Sequence, residues 1–224
     1  MKLIIILGAP GVGKGTQCAL LSQRLGYKHI STGSIIRKEI QSQSPLGLRV
    51  KTLVDSGNLV DDESIFLCLE NALSRFLSSE KKNFNDTILL DGLPRNLSQA
   101  QNLNQLIEKV GFKSVQVVCL EANRELLVQR FQNRLTCSSC QNVQSLQGKD
   151  TLNFSGYSCQ ACGTVGSMVR RKDDEAETVQ YRLNLYEKET LPVASFYQEK
   201  EIIYFVDALM PPEFVYVRVA SFVL

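Results

Sequence analysis

The sequence predicts an α/β protein in which a parallel sheet is flanked by helices and interrupted by an inserted module. Three observations carry this. Short apolar runs alternate with segments whose apolar residues recur at helical spacing, the pattern of a doubly wound sheet. Near the start, the apolar residues 3–7 run into Gly8-Ala9-Pro10-Gly11-Val12-Gly13-Lys14-Gly15-Thr16 and then into a helical stretch, residues 17–25. Residues 135–171 break the alternation: they are polar, carry four of the seven cysteines and include Gly148, Gly156, Gly163 and Gly166.

Length and charge narrow the classes. A chain of 224 residues buries enough surface for one domain with insertions. Apolar residues make up 44% and charged residues 21%, as in an ordinary globular protein. The 25 basic and 23 acidic side chains leave a net charge of +2, so nothing attracts nucleic acid or a membrane surface in general, and a positive site has to come from local clustering. No apolar run approaches the length of a membrane span. The first strand follows Lys2 without a secretory leader, and a cytoplasmic location is expected.

The elements follow in order. Residues 28–30 form a short second strand. The Ser31-Thr32-Gly33-Ser34 cluster starts a helix over residues 35–40. After Pro45, Leu46, Val50, Leu53 and Val54 mark another helix, closed by Gly57-Asn58 and followed by an extended Leu59-Val60. Asp61, Asp62 and Glu63 begin the next, with acids in the first turn where they suit the helix dipole; its apolar face is Ile65, Leu69, Ala72, Leu73 and Phe76. Residues 78–86 are polar and read as a loop. Residues 87–91 are a buried strand ending in Asp91, and Gly92-Leu93-Pro94-Arg95 turns out of it into a helix from Asn96 to about Lys109. The valine-rich residues 114–120 predict a central strand, residues 123–134 a helix, and residues 173–199 one long helix that Pro192 bends. Residues 202–207 are the last strand. The tail after Pro212 is ambiguous, strand by composition and helix by its place in the alternation.

The glycine-rich loop is the strongest chemical signal. Glycines let a backbone curl until successive N–H groups point inward and cradle an anion, the following helix aims its positive end there, and Lys14 adds a mobile charge. Strand, loop and helix in that order make a phosphate-binding loop. Asp91 closes an apolar strand at the same sheet edge, where such proteins keep a carboxylate for magnesium. Arg37, Arg95, Arg130, Arg134, Arg171 and Arg182 gather near element ends on that edge. A lone arginine is more often a solvated charge, but phosphoryl transfer needs a positive field around the moving group. Arg130 and Arg134, one helical turn apart, are expected to face one ligand. Cys137-Ser138-Ser139-Cys140 and Cys159-Gln160-Ala161-Cys162, separated by 18 residues, form two knuckles that predict a closed, structural Zn²⁺ site. Cys18, Cys68 and Cys119 read as core packing, and the single histidine, His29, receives no ligand or catalytic role.

Taken together, GAPGVGKGT, STGSIIR from Ser31, DSGNLVDDE from Asp55, LLDGLPRNLSQAQ from Leu89, the Arg130/Arg134 segment, the cysteine module and RKDDEAETVQYRL from Arg171 resemble the adenylate kinase family, in the long bacterial form with a zinc-binding lid. The resemblance covers essentially the whole chain. It implies a P-loop NTPase fold with a core (1–30, 62–134 and 172–224), a helical insertion for the nucleoside monophosphate (31–61) and a zinc lid (135–171), the two insertions closing over AMP and ATP. It implies reversible transfer of the ATP γ-phosphoryl group to AMP, giving two ADP, with Mg²⁺ accompanying ATP. By position, Gly11, Val12, Gly13, Lys14, Gly15, Thr16, Arg130 and Arg134 would bind ATP. Thr32, Arg37, Leu59, Val60, Gly92, Arg95, Gln99, Arg171 and Arg182 would bind AMP, with Gln99 reading the adenine edge. Lys14, Asp91, Arg95, Arg130, Arg134, Arg171 and Arg182 would be the catalytic set. A monomer is expected, with no nucleic-acid or membrane partner.

Three positions depart from the family pattern: Ser34 stands for an aspartate, Leu93 for a phenylalanine and Ala208 for a glycine. Two other readings compete. Asn96 after Arg95 is shared with kinases that prefer pyrimidine monophosphates, and Ser34 is compatible with a low-activity protein that binds nucleotide and zinc.

Overall fold

The structure is a computed structural model that describes residues 1–78, 86–145 and 156–224. Most of the loop expected over 78–86, with Gly148 and the middle of the cysteine module, falls outside them.

The chain runs β1 (Lys2–Gly8), α1 (Lys14–Leu25), β2 (Lys28–Ser31), α2 (Thr32–Gln41), α3 (Pro45–Asp55), α4 (Asp62–Leu77), β3 (Thr87–Asp91), α5 (Leu97–Val110), β4 (Ser114–Glu121) and α6 (Arg124–Gln132). It continues through three short strands, β5 (Arg134–Cys137), β6 (Val143–Ser145) and β7 (Met168–Val169), and a 3₁₀ turn, Lys172–Asp174. It closes with α7 (Ala176–Leu185), a π turn (Tyr186–Thr190), α8 (Leu191–Gln198), β8 (Ile203–Asp207) and α9 (Pro212–Val223). The main sheet has the order β2-β3-β1-β4-β8 and every pairing is parallel. The cysteine module has its own antiparallel sheet, β6-β5-β7.

Because successive side chains of a strand point to opposite faces, β1 feeds two apolar layers. Leu3, Ile5 and Leu7 pack with Leu69, Leu103, Val193 and Tyr197 from α4, α5 and α8. Ile4 and Ile6 pack with Cys18, Leu21, Val179, Val215 and Val219 from α1, α7 and α9. A strand buried on both faces has to be apolar throughout, which is why the predicted strands read as uninterrupted runs.

The helix starts follow capping chemistry. Ser31, Ser44, Asp61, Asn96 and Asn123 each accept a hydrogen bond from an N–H in the first turn of α2, α3, α4, α5 and α6. α1 is different: it opens on Gly13, without a side-chain cap.

Two expected elements are corrected and one left open is resolved. The helix over 123–134 ends at Gln132, and Arg134 opens β5. The long helix over 173–199 starts only at Ala176, because Glu175 is extended and Asp173 and Asp174 lie in the 3₁₀ turn. Its irregularity is the π turn directly before Pro192; the wide turn takes up the position where proline has no N–H to give. The tail is helical. Its β-branched and aromatic residues are tolerated because Val215, Val219 and Val223 are buried against the sheet, and Pro212 sits in the first turn where it suits a helix.

Candidate active site

The carboxyl ends of β1, β2 and β3 and the N-terminus of α1 meet at one edge of the sheet. β1 leads into the loop through Gly8, whose φ of 134° suits glycine and whose Cβ, if present, would lie 2.5 Å from the Leu120 carbonyl oxygen. The loop curls, and Lys14 folds back so that its ammonium donates to the carbonyls of Gly8 (2.8 Å) and Ala9 (3.0 Å). Burial pulls the Lys14 ammonium down to about 8, against the pull of Asp91 and with the push of Arg95, Arg182 and Arg134.

Asp91 closes β3 beside Ser31 and Ile6 of the neighbouring strands and is buried. Burial raises its carboxyl, but the His29 imidazole and the Lys14 ammonium prevail and hold it below the ordinary value. Thr32 donates to the Asp91 carbonyl at 3.3 Å. Gly92 follows with φ 89°, and a Cβ there would lie 2.7 Å from Thr32 Oγ1, so the turn and the start of α2 are in direct contact. The Leu93–Pro94 peptide is cis. The Arg95 guanidinium donates to the Gly92 carbonyl (2.8 Å), and its carbonyl accepts from Thr190 Oγ1 (2.7 Å). Gln99 is buried. It accepts from the Arg95 N–H (2.8 Å) and donates to Asp62 (2.8 Å), so both ends of the amide are oriented.

Two adjoining cavities lie at this edge. One is lined by Gly8, Lys14, Gly92, Arg95, Arg182 and Thr190. The other is lined by Arg37, Leu59, Val60, Gln99, Asp173 and Arg182. The arginines around them are crowded. Arg134 makes a bidentate pair with Asp174. Arg182 pairs with Asp173 at 2.7 Å and reaches Asp174 at 3.4 Å, and both guanidiniums stack on Phe131. Arg171 donates to Thr136 (2.7 Å), and Arg37 to Gln141 of the cysteine module (3.3 Å). Burial, together with neighbouring guanidiniums, depresses Arg37 to about 10 and Arg171 well below the ordinary arginine value. Among the described residues, Asp91, Asp173 and Asp174 are the acids that act most strongly on Lys14, Arg37, Arg95, Arg171 and Arg182. A half-buried excess of positive charge is costly alone and favourable around a polyanion.

Arg130 stands apart from the expected pair. Its guanidinium donates to the carbonyls of Val12 (2.8 Å) and Ala208 (2.7 Å), tying the glycine-rich loop to the end of β8. With Arg134 in β5, the two do not share a helix face.

The four cysteines converge. Cys137 and Cys162 place their sulfurs 3.7 Å apart, Cys140 and Cys159 theirs 3.6 Å apart, and all four lie within 4.8 Å of one another. A tetrahedral ion with bonds of about 2.3 Å spaces its sulfurs by about 3.8 Å, so the set fits Zn²⁺. Each knuckle turns through a residue of positive φ, Gln141 (65°) and Gly163 (73°). Ser167 and the Cys140 N–H hydrogen-bond to the Cys137 sulfur. The apolar support is small: Leu135, Cys137, Cys159 and Met168.

The structure adds partners that the sequence reading passed over. Asp173 and Asp174 neutralise part of the arginine cluster, Asp62 orients Gln99, and the imidazole of His29 lies 3.6 Å from the Asp91 carboxylate. The acids were visible in the RKDDEAETVQYRL stretch as charges. The histidine carried no local signal, since the parallel register of β2 and β3 brings it there. Asn96, the pyrimidine-like residue, is the N-cap of α5 and accepts from the Gln99 N–H at 2.8 Å. Among the described residues, no helix is long and apolar enough to cross a membrane.

Comparison with known proteins agrees with this geometry. Residues 6–202 match the family model described as Adenylate kinase. The chain is 37% identical over 221 residues to an adenylate kinase of Elusimicrobium minutum, covering 99% of this chain and 98% of the relative. It is 37% identical to adenylate kinases of Clostridium tetani (91% and 90% covered) and of a Geobacter species (92% and 92%). A parallel sheet with a glycine-rich loop at its carboxyl edge, ringed by arginines and carrying a four-cysteine module, together with likeness along nearly the full length, places this chain in the adenylate kinase family.

Proposed function

We infer that the chain is an ATP:AMP phosphotransferase, moving the γ-phosphoryl group of ATP reversibly to AMP to give two ADP. The observation that carries this reading is the similarity to curated adenylate kinases, which extends over 98% of the length of one relative.

In this reading the loop N–H groups of Gly11, Val12, Gly13, Gly15 and Thr16 hold the donor phosphates, and the uncapped start of α1 adds its dipole. Lys14 leaves the Gly8 and Ala9 carbonyls and follows the transferring group. Arg37 and Arg95 hold the AMP phosphate, with Thr32, Leu59, Val60 and Gly92 shaping its pocket, and the remaining N–H and lone pair of Gln99 read the adenine. Arg134, Arg171 and Arg182 neutralise charge on the moving phosphoryl group, while Arg130 acts by holding the loop in shape. Mg²⁺ with ATP supplies charge neutralisation and alignment of the phosphates; Asp91 is the carboxylate suited to hold its waters. The cysteines would hold Zn²⁺ as a structural staple of the lid. Residues 31–61 and 135–171 close over the acceptor and the donor, keeping water from the phosphoryl group. By likeness to the family we expect a cytoplasmic monomer.

The test is a coupled assay with MgATP and each nucleoside monophosphate in turn. ADP formation with AMP as the best acceptor is expected. No ADP with any acceptor overturns the enzyme reading, and faster turnover with CMP or UMP overturns the adenine assignment. The capping role of Asn96 already gives that residue a reason unrelated to base choice.

A further inference from the structure

Cys18 and His29 lie outside the machinery described above, yet both reach the Asp91 carboxylate. Cys18 sits one turn along α1 from Lys14. His29 is in register with Leu89 in the parallel pair of β2 and β3, so it shares a sheet face with Leu89 and, two residues on, with Asp91. Leu89 packs in the same layer as Cys18 and Leu21, so this is the face that α1 covers. One ligand atom from each of Cys18, His29 and Asp91 lies within 4.8 Å of the others, and the imidazole–carboxylate separation is 3.6 Å.

We propose that Cys18, His29 and Asp91 form a second metal site, for a borderline-soft dication of the zinc class, whose occupation inhibits phosphoryl transfer. The spacing is compatible: an ion with bonds of about 2.0 to 2.3 Å holds its ligands about 3.3 to 3.8 Å apart, the imidazole and carboxylate already stand 3.6 Å apart, and the thiol lies within 4.8 Å of both. The charge fits as well. A thiolate, a carboxylate and a neutral imidazole sum to minus two against the two positive charges of the ion, in surroundings that Lys14 and Arg95 also make positive. Three protein ligands leave a fourth position open, and Gly15 of the phosphate loop flanks the site, its Cβ position 3.8 Å from Asp91 Oδ2. The ion enters past the partly exposed imidazole. On binding, the Cys18 S–H bond breaks, its proton passes to solvent, and the sulfur, the imidazole lone pair and the carboxylate bond the metal; nothing is oxidised or reduced. Mg²⁺ does not compete for this set, because it is hard and takes oxygen ligands. The inhibitory half rests on Asp91 serving the transfer reaction; the binding half does not.

The experiment uses the chain with its lid cysteines filled by zinc. It is equilibrated against buffered free Zn²⁺ and the metal per chain counted; a parallel sample receives Co²⁺ and its thiolate-to-cobalt absorption is recorded; activity is measured with MgATP and AMP. We expect a second zinc per chain, a cobalt–thiolate band and at least a tenfold loss of activity, reversed by a mild chelator. Cys18→Ala keeps wild-type activity in Mg²⁺ alone and loses the second zinc, the band and the inhibition. His29→Gln, at a partly exposed position, binds at least tenfold more weakly and serves if the buried cysteine variant does not fold. One zinc per chain in the wild type, or a band and inhibition that persist in both variants, overturns the proposal. Activity in Mg²⁺ alone reports separately on the kinase reading: a chain inactive with every acceptor that still takes a Cys18-dependent second ion refutes that reading and supports the site.

Discussion

Around β1, Leu3, Ile5 and Leu7 enter one apolar layer and Ile4 and Ile6 another, each layer drawing side chains from several helices. In the cysteine module the buried cluster is Leu135, Cys137, Cys159 and Met168, half of it cysteine. The first region is held by burial. Among its described residues the second offers little apolar surface, and its four converging cysteines are suited to hold an ion in place of a larger core. The difference separates a sheet edge built on two apolar layers from a small cysteine plate that meets it where Arg37 donates to Gln141.

The contrast can be broken in five ways, in descending order of effect. Cys159→Ser, or a strong chelator, should remove the zinc and with it binding energy on the order of 10 kcal/mol. Hydrogen exchange should then show the described lid residues unprotected and β1, β3 and β4 protected as before; loosening of the sheet would end the separation. Lys14→Ala should do the reverse, lowering kcat/KM by about a thousandfold, as when one preorganised charge is removed from a transition state, with zinc content and thermal transition unchanged. Asp174→Ala acts at the junction. It leaves Arg134 without its bidentate partner in a buried position, and a loss of about 3 kcal/mol is expected in denaturant unfolding.

The fourth is a pH effect. Burial lowers the Lys14 ammonium in the free protein to about 8, so the charge is present below that pH and lost above it. If Lys14 holds the donor phosphates as proposed, kcat/KM for MgATP should be level below pH 8 and fall about tenfold per unit above it; a flat profile to pH 9.5 would show that Lys14 is not sensed. Smallest is Ser34→Asp. It adds a carboxylate next to Arg37, whose guanidinium already reaches Ser34 Oγ at 3.4 Å. Turnover should rise by a few fold, about 1 kcal/mol or less, and a decrease would show that the serine suits this site better than the acid.

What the sequence made legible was local. The apolar run of β1, the glycine-rich loop, Asp91 at a strand end and each cysteine knuckle lie within a few residues, and each forms as expected. What it hid was nonlocal. Arg134 fits a helical spacing with Arg130, yet its bond to Asp174, 40 residues on, belongs to a strand. Gln99 is oriented by Asp62, 37 residues before it. His29 meets Asp91 only through strand register. α9 is ambiguous in sequence because its β-branched residues prefer sheets while its place in the alternation favours a helix, and the layer beneath it decides for the helix.

The π turn at Tyr186–Thr190 has one more consequence. A π turn is what one surplus residue inside a helix looks like. Each residue of an α-helix advances the side chains by about 100° around the axis, so the surplus sets the rotational phase between the two halves of the rod. On one half Arg182 points toward Asp173; on the other Val193 and Tyr197 lie in the sheet's apolar layer. Removing one residue from the turn would leave both halves helical and the sequence nearly intact. It would also swing the arginine about a quarter turn out of line with the pocket, so part of the site's geometry is written in the number of residues between two helices as well as in their kinds.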